Sequence, residues 1–133
     1  MGKKLLTTVE DVMRTGSFVA RVDRRTKVRD VLFAITEANA GAALVTEPDG
    51  TLAGIITDGD IRRALLASED RLNACAEDVM SSNPVVIEPE RLATEALRKM
   101  EQSGRKIGEM PVIRDRKPIG VICLKDLLSE GIV

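Results

Sequence analysis

The sequence predicts an α/β fold of the α+β type, in which one β-α-β-β-α unit is written twice and the copies pack with pseudo-twofold symmetry. Three observations predict it. Segments recur at a near-constant spacing, each copy carries an amphipathic helix, and each copy then carries two strand-like runs around a turn signal. VEDVM at 9–13 returns as AEDVM at 76–80, and GIITDGDI at 54–61 returns as GVICLKDL at 120–127. Between them KVRDVLFAI (27–35) matches RLATEALRKM (91–100). The offset stays between 65 and 67 residues, as tandem duplication with small loop changes requires.

Taken in order, SFVARV (17–22) reads as a weak first strand. Val28, Val31, Leu32 and Ile35 follow i, i+3, i+4, i+7, the spacing of one helix face. AALVTE (42–47) and TLAGIIT (51–57) flank Pro48-Asp49-Gly50, a turn signal between two strands. A closing helix follows at DIRRALLAS (60–68). In the second copy VVIEP (85–89) reads as a strand, and Ala93, Ala96, Leu97 and Met100 mark the helix. MPVIR (110–114) and PIGVICL (118–124) flank Asp115-Arg116-Lys117, and KDLLSEG (125–131) closes the copy. A sheet with helices on one face leaves the other to be covered. A unit of about 60 residues also buries too little surface alone. Packing the two copies sheet to sheet answers both needs and leaves clefts between them suited to small ligands.

Composition narrows the function classes. A formal net charge of -1 in 133 residues argues against a nucleic-acid binder, which needs a basic face. With 2% aromatics and no Trp or Tyr, no stacking platform for single strands is expected. The absence of His removes the commonest general base and the commonest metal ligand. No metal or other cofactor is expected. Cys75 and Cys123 form no CxxC and read as free thiols of a reducing cytosol. No apolar run nears the roughly 18 residues of a membrane span, and residues 1–6 hold no signal-peptide core. A cytoplasmic protein is the expectation.

The joint GIITDGDIRR (54–63) sets a hydroxyl, two carboxylates, a glycine and two guanidinium groups where a strand becomes a helix. Thr57-x-x-Asp60 has the form of a capping box with Asp in place of Glu. Asp58 is an alternative N-cap, and Gly54 allows a close pass of strand and helix. A ligand explains other details. Gly59 falls in the first helical turn, where Gly costs roughly 1 kcal/mol against Ala, and leaves room for an approaching group. Arg62 and Arg63 lie near a helix N-terminus, where the dipole disfavours cations, and a bound anion reverses that misfit. A carboxylate accepts from the two vicinal hydroxyls of a ribose, and a threonine hydroxyl donates to a phosphate oxygen. At the second joint Cys123 replaces Thr57. The two joints are therefore expected to be inequivalent, the first suiting a phosphate better.

These residues resemble a tandem pair of CBS domains, the regulatory module that binds nucleotides. The signature G-h-x-[ST]-x-x-D-h, with h apolar, is matched by Gly54, Ile55, Thr57, Asp60 and Ile61, and by the second copy except at Cys123. The resemblance spans residues 9–133. It implies that Asp60 holds ribose hydroxyls and Thr57 the ribose or its phosphate, with Asp126 and Cys123 at a second site. Asp58 and Arg63 stand beside the first pair. By position, Val19, Ala42, Ala43 and Ile56 are candidates to sandwich the base.

VEDVMRTG, GIITDGDIRR and the ending KDLLSEGIV are similar to the C-terminal part of D-arabinose 5-phosphate isomerases of the KpsF/GutQ type, in which a sugar-isomerase (SIS) domain precedes a CBS pair. Residues 2–6 resemble the segment that leaves the SIS domain. The boundaries implied are 1–8 for a linker, 9–68 for the first CBS domain, 69–75 for a second linker and 76–133 for the second domain. The resemblance implies a non-catalytic regulatory fragment of an enzyme of Kdo and lipopolysaccharide synthesis. The implied ligand is a nucleotide or nucleotide-sugar such as CMP-Kdo or CMP, and a homodimer is expected. A sensor of AMP or ATP and a ligand-free oligomerisation module are the alternatives. A stand-alone enzyme fits worst, because Glu10, Asp11, Glu77 and Asp78 sit at helix starts as solvated caps.

Overall fold

A computed structural model of the chain describes residues 6–103 and 107–132. Of the linker expected over residues 1–8, residues 1–5 lie outside the described residues, as does Val133. The elements in chain order are α1 (Val9–Val12), β1 (Ala20–Asp23), α2 (Val28–Ala38), β2 (Ala42–Thr46), β3 (Leu52–Thr57), α3 (Asp58–Ala67), α4 (Ala76–Val79), α5 (Ala93–Gln102), β4 (Glu109–Arg114), β5 (Lys117–Cys123) and α6 (Leu124–Ser129). Short 3-10 turns cover Gly16–Phe18 and Glu69–Asn73. The chain divides into two units, one of Gly16–Pro84 and one joining the described part of Met1–Thr15 to Val85–Val133.

In the unit Gly16–Pro84 the strand order is β1-β2-β3. β1 runs parallel to β2, with Ala20 opposite Ala43, and β2 antiparallel to β3, with Ala42 opposite Thr57. Side chains alternate across a strand. Ala20, Val22, Ala43, Val45 and Ile56 accordingly meet Val28, Val31 and Ile35 of α2 and Ile61 of α3 in one core. Burying each of those α2 side chains contributes about 1.5–3 kcal/mol, which makes this stripe the main anchor of the helix. α2 stops at Asn39, a left-handed C-cap at φ 51° whose N–H donates to the carbonyls of Ile35 and Thr36. The first strand is shorter than SFVARV suggests. Gly16–Phe18 turns as a 3-10 segment and pairing begins only at Ala20.

In the other unit β4 and β5 form a hairpin over α5 and α6. Val9, Ile87, Ala93, Ala96, Met100, Met110, Val112, Ile122 and Leu127 are among the side chains of its core. VVIEP is not a strand here. Ile87 alone bridges to Val112, its N–H donating to the Pro111 carbonyl at 3.1 Å and its carbonyl accepting from Ile113 N–H at 2.8 Å. Pro84 and Pro89 bracket the run, and neither has the N–H needed to extend a ladder.

The packing units run out of phase with the sequence repeat. Val9, Val12 and Met13 join the core that holds β4 and β5, while Ala76, Val79 and Met80 join the core that holds β1 to β3. Each four-residue helix is too short to be stable alone, so its tertiary contacts decide where it lies. Arg14 thereby pairs with Val121 in the unit of β5, as Ser81 pairs with Ile55 in the unit of β3.

Candidate functional site: the two strand-to-helix joints

At the first joint β3 passes into α3 through a complete capping box. Thr57 is the N-cap, and its Oγ1 accepts from Asp60 N–H at 3.1 Å. The Thr57 N–H donates back to Oδ2 of Asp60 at 2.9 Å. Two of the helix's otherwise unpaired N–H groups are satisfied in this way. Asp58 is the first helical residue rather than the cap, because Thr57 holds the extended φ/ψ of a cap. The exposed Asp58 ties the joint to the start of β2, its N–H donating to the Gly41 carbonyl at 3.0 Å.

The remaining carboxylate oxygen of Asp60, Oδ1, accepts from Nη2 of Arg63 at 2.9 Å. Arg63 is 69% exposed and Asp60 18% exposed. Such a pair is screened by water and is weak, of order 0–1 kcal/mol. Arg63 folds over Gly59, where an added Cβ would stand 3.2 Å from Nη1. The missing side chain at Gly59 is therefore filled by a flexible cation of the same helix.

The four apolar candidates separate by sheet face. Ala43 and Ile56 are fully buried in the helix-facing core. By alternation Ala42 and Thr57, paired across β2 and β3, lie on the opposite face. Val19 is a buried bend residue just before β1 and lies outside the paired register, next in the chain to Ala20, which is opposite Ala43. Ala42 and Thr57 thus form one row, Ala43 and Ile56 do not belong to it, and Val19 lies before the strand that would continue it.

The second joint repeats the backbone and changes the chemistry. Gly120 occupies the place of Gly54. A Cβ at Gly54 would lie 2.5 Å from the Ser81 carbonyl oxygen and 2.8 Å from Sδ of Met80. At Gly120 the corresponding distances are 2.6 Å to the Arg14 carbonyl oxygen and 2.8 Å to Sδ of Met13. Both glycines exist because a short helix end presses on the strand.

Cys123, the N-cap of α6, makes no side-chain cap. Burial pushes its thiol up to about 11, the nearby Arg14 opposing and Asp126 and Glu109 reinforcing the shift. Asp126 is held by Arg14, whose Nε donates to Oδ2 at 2.8 Å and whose Nη2 donates to Oδ1 at 3.3 Å. This pair is 16% and 26% exposed, and the bond to Asp126 raises the pKa of the guanidinium. Glu109, opposite Cys123 in the register, takes the place Ala42 has opposite Thr57. Arg14 and Glu109 were not among the residues expected at this joint. Comparing the matched positions of the repeat, Arg14 with Ser81, holds the signal that would have found Arg14.

Of the four helix-start carboxylates, Asp11 and Asp78 act as caps, whereas Glu10 and Glu77 stand 3.9 Å from Arg114 and 3.8 Å from Arg24. Asp11 Oδ2 accepts from Thr8 N–H at 2.9 Å, a bond that holds its carboxyl below the usual range. Asp78 accepts from Cys75 N–H at 3.0 Å. Among the described residues no helix is long and apolar enough to cross a membrane, and no cluster of His, Cys, Asp or Glu could hold a metal.

Comparison with known proteins agrees with this geometry. The arabinose 5-phosphate isomerase KdsD of Pseudomonas aeruginosa is 37% identical over 134 residues, and that of Escherichia coli K12 is 34% identical over 133. The alignments cover all of this chain, which spans 40% of the length of those relatives. Among solved structures, the CBS domain pair of protein MJ0100 in complex with 5′-methylthioadenosine and S-adenosyl-L-methionine superposes with a TM-score of 0.82 at 21% identity, covering 94% of this chain and 99% of the other. CBSX2 in complex with AMP superposes with a TM-score of 0.79 at 22% identity, covering 94% and 96%. The family model of the CBS domain matches twice, over residues 9–67 and 76–132, and the chain belongs to the CBS-domain family as a tandem pair.

Proposed function

We propose that this chain is the non-catalytic, nucleotide-sensing part of a cytoplasmic arabinose 5-phosphate isomerase, and that its ligand is held at the first joint. The observation that carries the reading is the grouping of Thr57, Asp60 and Arg63 at one half-open strand end. Asp60 accepts the two ribose hydroxyls through lone pairs that its single bonds to Thr57 N–H and Arg63 leave available. The exposed Arg63 turns from Asp60 to the ligand phosphate, and the Thr57 hydroxyl donates to the same group. Asp58 stands beside them at the open start of α3. Ala42, in one row with Thr57, and Val19, just before β1, give apolar contact to the base, while Ala43 and Ile56 serve the core.

The isomerase assignment is supported by identity to KdsD over the whole chain. With 40% of the relatives' length and no histidine, the chain supplies regulation, and an SIS domain joined to it supplies catalysis. The ligand we favour is CMP-Kdo, whose CMP moiety offers one ribose diol and one phosphate. The fold neighbours solved with AMP and with S-adenosyl-L-methionine support an adenine-nucleotide reading as second choice. The module is proposed to work as a homodimer, which light scattering checks.

Isothermal titration with CMP-Kdo, CMP, AMP and ATP tests the sensing role. Binding tighter than millimolar, about -4 kcal/mol, is expected for at least one, and Asp60→Ala should weaken it by roughly 1.5–3 kcal/mol. If nothing binds, and Asp60→Ala lowers the melting temperature equally with and without nucleotide, Asp60 is a cap and the chain an oligomerisation module.

A further inference from the structure

The acceptor at the second joint is already occupied by protein. Arg14 grips both oxygens of Asp126 with the fork of its guanidinium, and the pair is largely shielded from water. Asp126 is no more buried than Asp60, and the difference lies in the cation. Arg63 is 69% exposed and holds one oxygen, free to turn into water. Arg14 is 16% exposed and covers both, so clearing Asp126 for two hydroxyls would strand a half-desolvated charge. Three neighbouring positions change in the same direction. Cys123 stands where Thr57 supplies a hydroxyl. Glu109 stands where Ala42 is apolar, bringing negative charge close to the place of a phosphate. Ser129 stands in the repeat where Arg63 supplies a cation. In the other unit the position of Arg14 is taken by Ser81, which has no charge to offer, and Asp60 is left with the exposed Arg63.

We propose that Arg14 is the internal occupant of the second joint. Its guanidinium takes the place on Asp126 that a ribose would take, latches that joint shut, and restricts the chain to one nucleotide, at the first joint. The restriction to one nucleotide rests on the sensing role proposed above; the latch does not.

The test has two arms on the 133-residue chain. The first compares ligand-free melting temperatures of wild type, Arg14→Met, Asp126→Asn and the double variant. Arg14→Met keeps most of the aliphatic stem and removes the guanidinium. Each single change is expected to lower the midpoint by several degrees and the double change by no more than the larger single one, because the pair is lost only once. Additive losses overturn the latch. Where Arg14→Met fails to fold, the Arg14 Nε–H resonance of the wild type decides. Slow solvent exchange that is lost in Asp126→Asn supports the latch, and fast exchange in wild type overturns it.

The second arm titrates AMP and CMP. One equivalent per chain is expected, with affinity within twofold of wild type in Asp126→Asn and at least tenfold weaker in Asp60→Asn. Two equivalents, or a tenfold loss in Asp126→Asn, overturns the closure of the second joint. If neither probe binds wild type, the sensing role falls, and the latch is judged on the first arm.

Discussion

The two joints share a backbone and differ in what they present to a ligand. Both carry a glycine under a short helix end, both end a strand level with the start of its neighbour, and both place an aspartate three residues into the turn. At the first joint that aspartate completes a capping box and meets an exposed arginine. At the second it is clamped by an arginine that reaches it from 112 residues away in sequence. A family signature therefore contains two separable parts. The glycine and the apolar positions build the joint in either unit, whereas a hydroxyl cap and a carboxylate paired only with an exposed arginine and its own cap distinguish the first joint from the second.

The structural part of the signature gives the largest expected effect. Gly54→Ala and Gly120→Ala each drive a Cβ to within 2.6 Å of a backbone oxygen. The short helix must move in either case. Overpacking of this kind costs typically 1–3 kcal/mol, and the backbone contact puts both variants near the top, about 3 kcal/mol, in urea or thermal melts. Equal losses would establish that the glycines serve packing in both units. A loss confined to Gly54→Ala would break the comparison, tying that glycine to something only the first joint does.

The chemical part is checked at Cys123. Buried in place of the Thr57 hydroxyl, this thiol is pushed up to about 11 from 9.0. The folded chain keeps the proton that the unfolded chain loses as pH passes 9.0. The linked stability is therefore intact below that pH and is lost as pH rises towards about 11. Alkylation at pH 8 should be about a hundredfold slower at Cys123 than at an ordinary thiol, from a two-unit shift. Burial adds a further delay, while the half-exposed Cys75 remains accessible. Mass spectrometry after iodoacetamide treatment resolves the two sites. Equal labelling would mean that the second joint is open to solvent and no longer differs from the first in this respect.

Much of this was legible in the sequence, for identifiable reasons. The stripes Val28-Val31-Ile35 and Ala93-Ala96-Met100 fall on buried helix faces because periodicity is a local property and burial follows it. The Thr57–Asp60 box was legible because its partners lie three residues apart. VVIEP read as a strand because an apolar run does not announce how far its pairing extends; here it stops at the single bridge of Ile87, between two prolines that have no N–H to lengthen a ladder. The crossing of the short helices between units was hidden. Repeats of VEDVM and AEDVM state that two such helices exist and say nothing about which core each joins. Arg14 leaves no mark in local spacing, its partner lying 112 residues away, and only its mismatch with Ser81 in the repeat points to it.

The hairpin turns extend the comparison to the far ends of the strands, with the smallest expected effect. β2 and β3 are joined through Pro48-Asp49-Gly50, where Gly50 takes φ 89° without a Cβ to resist it. β4 and β5 are joined through Asp115 and Arg116, at φ 53° and 67°, the pair of left-handed residues of a type I′ turn. Asp tolerates that region through local hydrogen bonds; an arginine there bears a strain of roughly 1–2 kcal/mol. Glycine removes the strain but loses more entropy on folding, so Arg116→Gly should stabilise the chain by only about 0.5–1 kcal/mol in a urea melt. Gly50→Ala, at φ 89°, should destabilise it by somewhat more, roughly 1–2 kcal/mol. Because both turns lie at the strand ends away from the joints, neither change should alter nucleotide affinity. A turn variant that weakens binding would show that the two ends of a sheet are coupled, and the joints could then no longer be compared one by one.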